Sequence, residues 1–236
     1  MIRTHAFNTR WYGAPVGIVE DASLFALPAD ARAALLRGYA WVELRARAGV
    51  EVPHGALRAS GFAWCDTQLR FRIDLRAVAQ ARRGDDGLRV CSAAEAPFTV
   101  AADALATFSH ERFARLPGMT DARLAARYER WAAALLDESP DTCLRATLDD
   151  GRTVGWFLAA PRGGSLELTL AALHRDASVS GARLYEACLA TFAARGHRLG
   201  HASFSAENTS VLNVYASLGA RFVAPEHIWL WTADSI

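Results

Sequence analysis

The sequence predicts a mixed α/β protein built as two related halves. Three observations lead there. From about residue 98 onward, segments with helical and strand periodicity follow one another in the order ααβββαβαβ. The tripeptide Asp149-Asp-Gly151 separates two strand-like runs as a hairpin turn would. And Leu57-Arg-Ala-Ser-Gly-Phe62, followed by an alternating strand pattern, echoes Tyr215-Ala-Ser-Leu-Gly-Ala-Arg-Phe222 near the other end. Each is a helix end, a glycine turn and an entry into a strand. Two such turns also arise by chance, so the sequence leaves duplication and coincidence both standing.

Taken in order, residues 16–20 read as a short strand, 29–38 as a helix and 40–47 as a strand. Residues 69–75 alternate, with Leu69, Phe71, Ile73 and Leu75 on one face. The polar run Ala81-Arg-Arg-Gly-Asp-Asp-Gly87 is the expected boundary, dividing the chain into 1–86 and 87–236. Beyond it, 101–115 reads as a helix. Residues 121–137 read as a stronger one, with an aspartate cap and Leu124, Tyr128, Trp131 and Leu135 spaced along one face. Strands are expected at 142–148, 153–159 and 165–173. The helix at 180–194 turns Leu184, Cys188, Leu189 and Phe192 inward and stops at Gly196. A strand at 199–205, a helix from Asn208 and a strand at 222–231 complete the chain.

The bulk numbers exclude several classes of function. With 52% hydrophobic and 22% charged residues, a chain of 236 residues can bury a real core and is not disordered. A formal charge of +1 argues against a nucleic-acid or membrane-surface binder. The basic side chains other than histidine are all arginine, with no lysine in the chain. Cys65, Cys91, Cys143 and Cys188 are scattered without metal-ligand spacing, so they read as reduced core residues and no metal is expected. The opening residues contain no apolar run of signal-peptide length and no stretch approaches a membrane span. A soluble, cytoplasmic protein is the expectation.

The most informative segment is Asn208 to Phe222, N-T-S-V-L-N-V-Y-A-S-L-G-A-R-F. Asn208 caps a helix whose apolar stripe is Val211, Leu212, Tyr215 and Leu218, and Gly219 ends it. Tyr215 in that stripe reads equally as core packing. The run resembles the last helix and strand of the GNAT superfamily of N-acetyltransferases. The resemblance implies tandem GNAT-like domains, the first degenerate and the second catalytic. It also implies acetyl-CoA as co-substrate, with Tyr215 beside the sulfur. A phenol with an ordinary pKa of about 10 can protonate a departing thiolate without losing its own proton at rest.

In that superfamily the coenzyme A pyrophosphate sits on a strand–turn–helix marked Arg/Gln-x-x-Gly-x-Gly/Ala, and a helix N-terminus suits an anion. Here Gly181 matches the last glycine, while Val179 and Asp176 depart from the pattern. The resemblance implies cofactor contacts from Ala171, Ala172 and Leu173 on the strand and from Asn208. Ser178, Ser180, Gly181, Ala182 and Arg183 would contribute at the turn, with Arg175 as a further donor. Glu167 stands where some acetyltransferases, histone-modifying ones among them, carry a base. It reads also as a strand residue that points to solvent or pairs with an arginine, and His201 and Glu207 are lesser candidates.

A further set is ordered along the chain: Asn8-Thr-Arg-Trp-Tyr-Gly13, then Phe108-Ser-His-Glu-Arg-Phe113, then Tyr128-x-x-Trp131. It is similar to the dTDP-fucosamine acetyltransferase family, which acetylates the amino group of a nucleotide-linked deoxy sugar. This implies an acceptor site at 110–118, with His110, Arg112 and Phe113 against the substrate and Arg112 gripping a diphosphate. Other acceptors are peptide N-termini, polyamines or antibiotics. The rival reading is a non-catalytic acetyltransferase-like binding module, favoured by Asp176 and Val179. The expected partner is a small-molecule amine, with no nucleic acid or membrane involved, and a homodimer is allowed rather than demanded.

Overall fold

The computed structural model describes residues 1–47, 54–82, 87–106 and 110–233. The first half runs β1 (Ile2–Thr4), α1 (Ala6–Tyr12), β2 (Val16–Val19), α2 (Ala29–Leu36), β3 (Trp41–Arg47), α3 (His54–Ala59), β4 (Ala63–Asp74) and α4 (Leu75–Ala81). The second runs β5 (Leu88–Ser92), α5 (Asp121–Glu138), β6 (Cys143–Leu148), β7 (Thr153–Arg162), β8 (Ser165–Leu173), α6 (Gly181–Ala194), β9 (Leu199–Ser205), α7 (Thr209–Ser217) and β10 (Arg221–Thr232). All ten strands join one mixed sheet in the order β1-β2-β3-β10-β4-β9-β8-β7-β6-β5. The fold class expected from the sequence, mixed α/β in tandem, is the one observed.

The two halves exchange their last strands. β4 crosses to pair antiparallel with β9 of the second half, while β10 crosses to lie between β3 and β4. The expected boundary falls between α4 and β5, and residues 83–86 of it lie outside the described residues. Hydrogen bonding nevertheless runs through the middle of the sheet from one half to the other. Both exchanged strands follow the same device. Gly61 and Gly219 adopt φ of +77° and +80°, which L-residues avoid. The amide after each glycine then closes on the helix behind it, Phe62 N–H on Leu57 O at 3.0 Å and Ala220 N–H on Tyr215 O at 2.9 Å. The echo seen in the sequence is therefore one backbone motif built twice.

Helices cover both faces. α4, α6 and α7 bury Leu75, Val78, Leu184, Cys188, Phe192 and Tyr215 against β4 and β7–β9. On the other face α5 sets Tyr128, Ala132 and Leu135 against Trp156, Leu158 and Leu170. α5 is capped by Thr120, whose hydroxyl accepts from Arg123 N–H, a residue earlier than the aspartate cap expected. Inside β8 the register with β7 slips between Leu168 and Leu170. That bulge turns the strand over: Leu166 and Leu168 pack toward α6, Leu170 and Ala172 toward α5.

The helix expected at 101–115 does not form. Ala102–Ala104 and Arg112–Arg115 are short 3₁₀ turns, Leu105 bridges His174, and 107–109 lie outside the described residues. The reason is tertiary: the end of β8 offers free backbone groups, and Ala106 N–H donates to Leu173 O at 3.2 Å while Arg175 N–H donates to Ala104 O at 2.9 Å. Extended pairing outweighs a modest helix preference. The sequence reading lacks β1, α1, α4 and β5, and β4 begins six residues before the alternation at Leu69 becomes clear.

Candidate active site

The site begins where two parallel strands part. β8 and β9 are paired only at Leu166 with Gly200 and Glu167 with His201, after which they diverge. His174 N–H donates to Val154 O on β7, so by alternation the backbone groups of Leu173 and Ala171 face away from β7; Leu173 O accepts from Ala106 N–H, and those of Ala171 face the opening. A cavity of about 670 Å³ fills that opening. Ala171, Ala172 and Leu173 form one wall, Ala202–Ser205 of β9 the opposite one, and the first residues of α6, Ser180, Gly181 and Ala182, one end. Ser180 is the N-cap of α6, yet its side chain takes no capping hydrogen bond. The positive end of a 14-residue helix is thus left facing the cavity.

Tyr215 reaches the same cavity from α7. Asn208 Oδ1 accepts from Val211 N–H at 3.1 Å and fixes the start of that helix. The Tyr215 ring is packed against Phe71 at 4.0 Å, Tyr185 at 5.1 Å and Phe204 at 5.9 Å between centroids. Only 4% of the residue is exposed, but the cavity wall includes it. Burial first, then Tyr185 and Cys188, hold its phenol well above the ordinary value of 10, so it stays protonated. Tyr215 and the start of α6 therefore border one space.

The far side of the cavity carries the charges. Glu43 of β3 is 2% exposed and lies 3.0 Å from Arg112 Nε, with Arg45 on its other oxygen. Burial alone would raise the Glu43 carboxyl, but Arg112 and Arg45 outweigh it and take the group down to about 2. Glu111 accepts from Phe113 N–H and from the Tyr128 hydroxyl. Burial, reinforced by Glu111, raises the Tyr128 phenol well above its ordinary range.

Of the candidates read from sequence, Tyr215, Ala171, Ala172, Leu173, Ser180, Gly181, Ala182, Asn208, His110 and Arg112 border the cavity. Four lie outside it. Glu167 sits at the last paired position before the divergence, its carboxylate 3.1 Å from Arg162. Ser178 and Arg183 are exposed beside the turn. Phe113 is fully buried between Trp11 and Trp41, a core residue rather than a substrate contact, because the 3₁₀ turn at Arg112–Arg115 drives it inward. Arg112 borders the cavity but is held by Glu43 and Glu111, which corrects its expected role as a free diphosphate clamp. Among the lesser candidates, His201 meets Ser165 and Glu207 meets Arg115. Glu111 and Arg127 on the cavity wall escaped the sequence reading. Arg127 had a visible signal, a cation midway along the apolar stripe from Leu124 to Leu135.

No protein-family model and no curated protein matches the sequence. Solved structures do match the fold. A GCN5-related N-acetyltransferase from Sphaerobacter thermophilus is 18% identical, aligned over 81% of this chain with a TM-score of 0.55. This chain spans 59% of that protein's length. A tandem GNAT protein from the clavulanic acid biosynthesis pathway is 14% identical over 94% of this chain and 76% of its own, with a TM-score of 0.55. A conserved Staphylococcus epidermidis protein of unknown function is 12% identical over 93% of this chain and 84% of its own, with a TM-score of 0.59. The chain has the fold of the GCN5-related N-acetyltransferases, in tandem form.

Proposed function

We propose that the protein is an acyl-CoA-dependent N-acetyltransferase acting on a small primary amine. The observation that carries this reading is the parting of β8 from β9 after Glu167 and His201, which opens onto a cavity bordered by both Tyr215 and the start of α6. The chain's own groups fit acetyl-CoA on two counts. The uncapped N-terminus of α6, at Ser180, Gly181 and Ala182, suits a pyrophosphate. The backbone of Ala171, turned away from β7, suits the amides of a pantetheine arm. When bound, acetyl-CoA supplies an acyl thioester. The Tyr215 hydroxyl, protonated and without a hydrogen-bond partner among the described residues, is then the donor for a departing sulfur. Since Glu167 is engaged by Arg162 outside the cavity, ordered water is the better acceptor for the amine's proton.

The nucleotide-linked amino sugar remains the finer form of this proposal, but it relied on Arg112 for the diphosphate, and Arg112 is paired with Glu43. A thermal-shift titration with acetyl-CoA tests the reading. At about 100 times Kd, binding adds roughly 2.7 kcal/mol of stability and raises Tm by about 5 °C or more. No shift at millimolar acetyl-CoA would leave the non-catalytic binding module, the reading that Asp176 and Val179 favour.

A further inference from the structure

Arg127 borders the cavity and, among the described residues, forms no ion pair. It is 7% exposed, in the middle of the buried face of α5. Its guanidinium carbon lies 4.6 Å from the Phe113 ring centroid, 5.3 Å from Trp131, 5.5 Å from Trp11 and 5.6 Å from Phe7. Among the described residues its one side-chain hydrogen bond runs from Nε to Asn8 Oδ1 at 3.4 Å. Among the described residues no carboxylate lies within ion-pairing distance of it. The buried carboxylates nearby are already engaged: Glu43 by Arg112 and Arg45, Glu111 by Tyr128, by the Phe113 amide and, at 4.0 Å, by Arg112, and Asp66 by the Ser205 hydroxyl.

A buried arginine with aromatic rings around it and its terminal nitrogens unengaged is a fork shaped for a planar anion. Aromatic faces stabilise the cation without taking its N–H donors. Burial lowers the group's pKa, but arginine keeps its proton throughout the working range. Arg127 also borders the same cavity as Tyr215. From this geometry we infer that the acceptor amine carries a carboxylate, and that Arg127 is the specificity-determining residue that reads it. The inference rests on the acetyltransferase reading for the word acceptor; the anion site itself does not. A single fork matches a carboxylate rather than a phosphate, whose higher charge calls for more than one donor group.

Trp131 and Trp11 beside Arg127 supply the readout. Tryptophan fluorescence is titrated with sodium benzoate, with benzamide of the same shape and with inorganic phosphate, on wild type, R127M and R127K. Benzoate is expected to bind wild type at least 10-fold more tightly than benzamide or phosphate, with R127M losing that preference and R127K retaining only part of it. Equal binding of benzoate and benzamide, the same preference in R127M, or tighter binding of phosphate would overturn the inference. R127K keeps the charge and the fold should R127M fail to fold. With acetyl-CoA present, turnover of an amino acid is compared with that of its carboxamide. A wild-type preference of at least 10-fold in kcat/KM, carried by KM and lost in R127M, is expected. Turnover of both amines with equal kcat/KM would refute the carboxylate proposal and leave the acetyltransferase reading standing. Benzoate selectivity with no acetyl-CoA shift would do the reverse for the site.

Discussion

The two halves of the sheet put the same parts to different uses. In the first, parallel strands β2 and β3 stay paired along the whole of β2, from Val16 with Trp41 to Val19 with Leu44. In the second, β8 and β9 hold together for two residues and then separate. Leu57 and Tyr215 occupy equivalent places, each with its carbonyl closing the turn after a left-handed glycine. Leu57 is fully buried with Phe62 and Trp231 in a closed core, whereas Tyr215 borders a cavity. One backbone design thus makes either a platform or a site, depending on whether the strands part and whether the equivalent side chain carries a hydroxyl.

The most severe way to break the comparison is to separate the halves. Because β4 and β10 each pair mainly in the other half, fragments 1–86 and 87–236 expressed alone are expected to show no cooperative urea transition. A folded, acetyl-CoA-binding 87–236 fragment would mean that the exchange is dispensable.

Next is the ion pair by which the first half holds the acceptor side of the second. Replacing Glu43 with Gln removes the closer of the two carboxylates on buried Arg112 and should cost about 3 kcal/mol in urea denaturation. The same group gives a pH signature. Its carboxyl lies at about 2 in the folded protein against an ordinary 4.5, so its contribution is complete above 4.5 and fades as pH falls toward 2. Wild type should lose stability through that window, and E43Q should lose less. Parallel curves for the two would remove Glu43 as the cause.

The smallest effects come from the twin glycines. G61A and G219A each force a side chain into left-handed backbone and should cost about 1–2 kcal/mol. Only G219A, which supports Tyr215, should also lower turnover. An equal loss of turnover in both would make the halves functionally symmetric.

How much of this was legible in the sequence depends on how local each cause is. Asn208, Tyr215 and Gly219 sit within twelve residues, and their capping and turn chemistry can be read without knowing the fold. The strand exchange cannot be, since β4 and β10 carry similar patterns and only the assembled sheet decides which neighbours they take. Arg112 looked free because Glu43, its partner, lies 69 residues away. The helix expected at 101–115 failed for a like reason: the free edge of β8 that captures Ala104 and Ala106 exists only because β9 has turned aside. Arg127 was readable and was missed, a charge among Leu124, Tyr128 and Trp131 on a face otherwise apolar.

The central claim, that the opened second half is an acetyl-transfer site and the closed first half is not, is tested most directly by kinetics of Tyr215→Phe. The account predicts that kcat falls about 10-fold or more, while the Kd for acetyl-CoA measured by calorimetry changes by less than about twofold, since the lost hydroxyl makes no hydrogen bond among the described residues. Wild-type kcat in that variant would contradict it.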